Sequence, residues 1–76
     1  MVYAFVLVKT GAGVSAGVLD ALDEIDGIVE AHIVAGEYDI IAEVEVDEVH
    51  DVLDVVSSGV QSRDGVIDTK TYIALE

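Results

Sequence analysis

Shifted by half its length, the 76-residue sequence lies over itself without a gap. Ala4, Val6 and Val8 fall on Ala42, Val44 and Val46; Val14 and Val18 fall on Val52 and Val56; Asp26-Gly27 falls on Asp64-Gly65. Self-similarity at a fixed period marks a repeated supersecondary unit. In a valine-rich chain the identities alone carry little weight, but the shift sets strand pattern on strand pattern, helix pattern on helix pattern and turn on turn. A chain of two like halves has few folds open to it.

Each half reads as strand, helix, strand. Val2 to Val8 is apolar at both parities, with Val2, Ala4, Val6 and Val8 on one face and Tyr3, Phe5 and Leu7 on the other, which predicts a central strand covered on two faces. After Thr10-Gly11-Ala12-Gly13, the residues Val18, Leu19, Leu22 and Ile25 recur at helical spacing, with Asp20, Asp23 and Glu24 on the wet side and Ser15 as N-cap. Asp26-Gly27 ends this helix, and Ile28 to Ala35 is the second strand. Beyond the Gly36-Glu37 turn, Tyr38 to Val46 alternates cleanly, Ile40, Ala42, Val44 and Val46 against Ile41, Glu43 and Glu45. Asp47 is the expected N-cap of a helix through Val49, Val52, Leu53 and Val56; Val60 to Arg63 either extends it or loops out. Asp64-Gly65 turns the chain into a last strand, Val66 to Leu75. Two right-handed βαβ halves folded together make one domain of α+β class. It has the ferredoxin-like βαββαβ fold, a four-stranded antiparallel sheet with both helices on one face.

The other face is then bare and carries Tyr3, Phe5, Leu7 and Ile41. Burying such side chains is worth roughly 1.5–3 kcal/mol each, comparable in sum to the stability of a small domain. With no cysteine to supply disulfides or thiolate-bound metal, pairing of two copies through the sheet is the expected source of further stability.

Sixteen carboxylates face three cations, Lys9, Arg63 and Lys70, for a net charge of −13. Such a field repels nucleic acid and anionic membranes, and no apolar run approaches the ~20 residues that span a bilayer. The start, Met1-Val2-Tyr3-Ala4-Phe5, lacks the pattern of a signal peptide, so a cytoplasmic protein is expected. The charge density is what a protein from a high-salt cytoplasm, as in a halophilic archaeon, would show, since concentrated counterions screen self-repulsion; the alternative is an ordinary acidic protein.

Enzyme signatures are sparse. Ser15, Ser57 and Ser58 sit at helix ends, where capping explains them. His32 with Glu30 reads as an exposed pair on one strand face, and His50 with Asp54 as part of a solvated acidic helix, so no metal and no cofactor are expected. Gly11-Ala12-Gly13 lacks the lysine and spacing of a phosphate loop. Gly36-Glu37-Tyr38-Asp39 is more informative, since it joins an accessible backbone, a phenol and a carboxylate at one turn, the donors and acceptors that a free amino acid needs. Thr69 and Thr71, at i and i+2, add hydroxyls on one strand face.

Two segments resemble a known family. Val34-Ala35-Gly36-Glu37-Tyr38-Asp39-Ile40-Ile41 is similar to the V-x-G-x-Y-D turn, and Asp64-Gly65-Val66-Ile67-Asp68-Thr69-Lys70-Thr71-Tyr72-Ile73 to the closing G-V-x-x-T-x-T strand, of the effector-binding (RAM) domain of the Lrp/AsnC transcriptional regulators. The resemblance covers nearly the whole chain. It implies a ferredoxin-like fold, dimers built through the sheets, assembly into tetramers or octamers, and amino acids bound where dimers meet. Gly36, Tyr38, Asp39, Thr69 and Thr71 would then be the ligand-binding residues, while Asp54 and Ser58 are open guesses for contacts from the second helix. Strand one begins at Val2, so the chain resembles the stand-alone members that lack the helix-turn-helix domain, and regulation would have to act by co-assembly with full-length regulators or by buffering the effector. The alternatives are a small dimeric α+β barrel enzyme, for which no convincing base is found, and a structural adaptor that binds no ligand.

Overall fold

The computed structural model describes residues 1–75. Strand β1 (Val2–Thr10), helix α1 (Ser15–Leu22), strands β2 (Ile28–Ile33) and β3 (Ile40–Val46), helix α2 (Val49–Asp54), a π-helical segment over Val55–Val60, and strand β4 (Val66–Ile73) follow in order. The sheet runs β2-β3-β1-β4, and every neighbouring pair is antiparallel. This is the expected ferredoxin-like arrangement.

Alternation decides which face is buried. Ala4, Val6 and Val8 of β1 and Ile40, Ala42 and Val44 of β3 are fully buried against Val18 and Leu22 of α1 and Val52, Val56 and Val60 of the second helical stretch. The repeat is visible in three dimensions as well: Gly27 and Gly65, at equivalent positions, both adopt left-handed φ values of +100° and +95° just before β2 and β4. A Cβ on Gly27 would meet Val55 and Val46 at 3.0 and 3.1 Å, and one on Gly65 would meet Val14 and Val18 at 3.1 Å.

Several local expectations are corrected. Ser15 does not cap α1; Val14 holds the N-cap position, and the Ser15 hydroxyl is instead 2.7 Å from that of Thr10. Glu48, not Asp47, caps α2, and its N–H donates to the Asp51 carboxylate at 3.1 Å. The helix does run on to Val60, but as a π segment in which the Gln61 N–H donates to the Val56 carbonyl five residues back at 2.8 Å. Apolar residues spaced by four, Val52, Val56 and Val60, drift around a helix of 3.6 residues per turn; the wider π turn holds all three on the core side. Strand β1 extends to Thr10, with an irregularity after Lys9, while β2 stops at Ile33, short of Ala35.

Candidate functional site

The open face of the sheet is built from the odd residues of β1. The register pairs Leu7 with Ile41 and Lys70, Phe5 with Glu43 and Tyr72, and Tyr3 with Glu45. Antiparallel partners point to the same side, so Tyr3, Phe5, Leu7 and Ile41 share one face, as expected. Phe5 is 37% exposed. Tyr3 and Phe5 meet edge to face, with ring centroids 5.4 Å apart at 82°. The Tyr3 hydroxyl donates to the Glu43 carboxylate. That bond, with partial burial and the charges of Glu43, Glu30 and Glu45, pushes the phenol up to about 12, because ionisation would set negative charge beside negative charge.

At one end of this face the β2–β3 turn arches over the sheet and encloses an open cavity of about 390 Å³, lined by Leu7, Gly36, Tyr38, Ile41, Lys70 and Tyr72 among others. The turn is tied down at several points. The Asp39 N–H donates to the Val8 carbonyl at 3.0 Å, the Val34 N–H to the Asp39 carbonyl at 2.9 Å, and the Lys9 ammonium to the Glu37 carbonyl at 3.1 Å. A Cβ on Gly36 would meet nothing within 4 Å, so its backbone is open to approach. The cavity is the size of a small-molecule pocket, about 300–1,000 Å³. Apolar walls, one ammonium, two phenols, an open backbone and the Glu37 carboxylate suit a small molecule bearing both a carboxylate and an ammonium group.

Of the five residues expected to bind a ligand, the structure brings Gly36 and Tyr38 into this cavity. Asp39 belongs to the same turn, but its carboxylate is engaged by Thr10, accepting from the N–H at 2.8 Å and from the hydroxyl at 3.2 Å. Thr69 and Thr71 pair with Val8 and Val6, and so lie on the opposite, helix-covered side of edge strand β4. The Thr69 hydroxyl accepts from the Gln61 amide at 2.9 Å. Within one chain the two threonines therefore cannot touch a molecule held by Gly36 and Tyr38. The residues that do join the cavity from β4 are Lys70 and Tyr72, which the sequence reading passed over. Strand alternation held the signal, since both lie at the parity opposite to the threonines. Asp54 and Ser58 are exposed on the second helical stretch and do not line this cavity.

A split βαββαβ domain with a metabolite-sized cavity at its β2–β3 turn has the build of a small-molecule-binding module. The sequence matches the Lrp/AsnC ligand binding domain over residues 3–76, and the chain belongs to that family. No curated protein matches it at a significant level. Among solved structures, TTHA0845 from Thermus thermophilus superposes with a TM-score of 0.96 at 33% identity, covering 100% of this chain and 95% of that one. Escherichia coli AsnC superposes with a TM-score of 0.92 at 25% identity over 99% of this chain, which spans 51% of AsnC. The fold is also that of the Neisseria meningitidis transcriptional regulator NMB0573, solved as a complex with L-methionine, with a TM-score of 0.86 at 17% identity over 99% of this chain and 50% of that one. Among the described residues no helix is long and apolar enough to cross a membrane.

Proposed function

We propose that this chain is a non-enzymatic effector-binding and oligomerisation module of transcriptional regulation. It takes an amino acid at the β2–β3 turn and pairs with a second copy through the open sheet face, and dimers join further into tetramers or octamers. The observation that carries the reading is the division of the five expected ligand residues between the two sides of the sheet. A metabolite that engages Gly36 and Tyr38 as well as threonines of β4 must lie between chains, so its binding is coupled to assembly. The ligand-binding family and the methionine complex of a regulator with the same fold support an amino acid as effector.

The net charge of −13 argues against direct contact with DNA. Co-assembly in the cytoplasm with full-length Lrp/AsnC regulators is the route by which a module of that charge reaches DNA. The acidity further suits a high-salt interior. Calorimetric titration with the twenty amino acids, paired with light scattering, tests the proposal. Heat from at least one amino acid together with a change in assembly mass is expected; silence from all of them in both measurements sinks it.

A further inference from the structure

A second polar constellation stands on the open face beside the cavity, on the β2 side of the cavity-lining Ile41. The β2–β3 register sets Glu30 directly opposite Glu43, and His32 opposite Ile41. Carboxylates placed directly opposite destabilise a strand pair, and Glu45 adds its charge to the same neighbourhood. No lysine or arginine is at hand to compensate: Lys9 is bonded at the β2–β3 turn, Lys70 lines the cavity, and Arg63 sits before β4. What the cluster does contain is an imidazole, together with the Tyr3 hydroxyl, which donates to one oxygen of Glu43. The Nε2 of His32 lies 3.0 Å from the Glu30 Oε1, and one donor atom from each of Glu30, His32 and Glu43 lies within 4.8 Å of the other two.

We propose that Glu30, His32 and Glu43 form a divalent transition-metal site on the open sheet face, holding a Zn²⁺-like ion by two carboxylates and one imidazole. Such ions take histidine nitrogen and carboxylate oxygen at about 2.0–2.2 Å, and small rotations of these exposed or half-buried side chains close the three donors onto a common centre. The ion supplies the positive charge that the register leaves out between Glu30 and Glu43. The imidazole sets the class of ion, because Mg²⁺ and Ca²⁺ favour all-oxygen shells whereas Zn²⁺ and its first-row neighbours accept nitrogen. Three protein donors leave coordination positions for water or for a group of the second copy that the proposed dimer lays on this face. The sequence reading of Glu30 and His32 as a bare exposed pair lacked the third donor, since Glu43 joins them only through the pairing of β2 with β3.

Calorimetric titration of chelator-treated protein with Zn²⁺, accompanied by NMR of the two imidazoles, tests the site. One Zn²⁺ per chain is expected, with resonance shifts at His32 and not at His50, and affinity weakened at least about tenfold by His32→Ala or Glu30→Gln. His50→Ala is the control, because His50 lies 3.3 Å from Asp51 in a separate acidic neighbourhood. Equal Zn²⁺ affinity in wild type and His32→Ala, an equal loss in His50→Ala, or Mg²⁺ bound as tightly as Zn²⁺ would overturn the proposal in favour of diffuse cation condensation. Should a variant fold poorly by circular dichroism, the imidazole shifts of the wild-type protein decide alone.

Discussion

The carboxylate of Asp39 accepts two hydrogen bonds from Thr10, at 2.8 Å from the backbone N–H and 3.2 Å from the hydroxyl, and so pins the β2–β3 turn to the end of β1. Thr10 is buried, and a buried donor left without a partner costs about 1–3 kcal/mol. Asp39→Ala should therefore lower stability by about that amount in urea denaturation, with Asp39→Asn losing less because its amide oxygen still accepts from the N–H. Loss of effector response in Asp39→Ala would reflect a displaced turn. Tyr38→Phe and Lys70→Met are the cleaner probes of the cavity, expected to weaken amino-acid heats while leaving the denaturation midpoint unchanged.

Tyr3 and Glu43 make stability depend on pH at the alkaline end. The folded phenol ionises at about 12, above the ordinary value of 10.0. A proton held more tightly in the folded state gives stability that is complete below pH 10 and lost as pH rises toward 12. Ultraviolet titration should show Tyr3 ionising at about 12, and Glu43→Gln should bring it back toward 10.0. A Tyr3 titration that Glu43→Gln leaves unmoved would place the cause elsewhere.

Phe5 and Leu7 lie at the centre of the open face. If a second copy covers it, each buried side chain contributes roughly 1.5–3 kcal/mol to association. Leu7→Asp should then convert the wild-type assembly into particles of one 8.0 kDa chain in sedimentation at high ionic strength, with the far-ultraviolet spectrum unchanged. Wild-type protein that already sediments as single chains would remove both the dimer and the seam for a ligand.

Gly27 and Gly36 should respond oppositely to alanine. At Gly27 the left-handed φ of +100° and valine carbons at 3.0 and 3.1 Å from the added Cβ both resist substitution; the backbone term alone is about 1–2 kcal/mol. Gly36 has open space around it, so Gly36→Ala should fold normally and lose affinity only if a ligand approaches that backbone. Thermal melts of the two variants check the contrast.

A net charge of −13 on 76 residues repels itself over distances that salt shortens, from about 30 Å at 0.01 M to about 3 Å at 1 M. The melting temperature should rise on going from dilute buffer to molar KCl. Equal melting in the two would end the high-salt interpretation of the composition.

Element order, the buried parity of β1 and β3 and the two equivalent left-handed turns were all legible in the residues, because alternation, helical spacing and an Asp-Gly pair are properties of a few neighbours along the chain. The resemblance of the Gly36–Asp39 turn to a ligand-binding family was legible for the same reason. Capping was not: whether Ser15 bonds its own helix or Thr10 depends on where β1 ends.

What only the tertiary structure decided is which side chains meet. Strand parity is measured against a partner, so placing β4 beside β1 sent Thr69 and Thr71 to the helices and Lys70 and Tyr72 to the cavity. The register of β2 on β3, with its irregularity between Ile28 and Glu30, brought Glu43 to Glu30 and His32. A shift of one residue in either pairing exchanges the two faces without changing any local pattern, and for that reason the composition of the candidate sites cannot be read along a single strand.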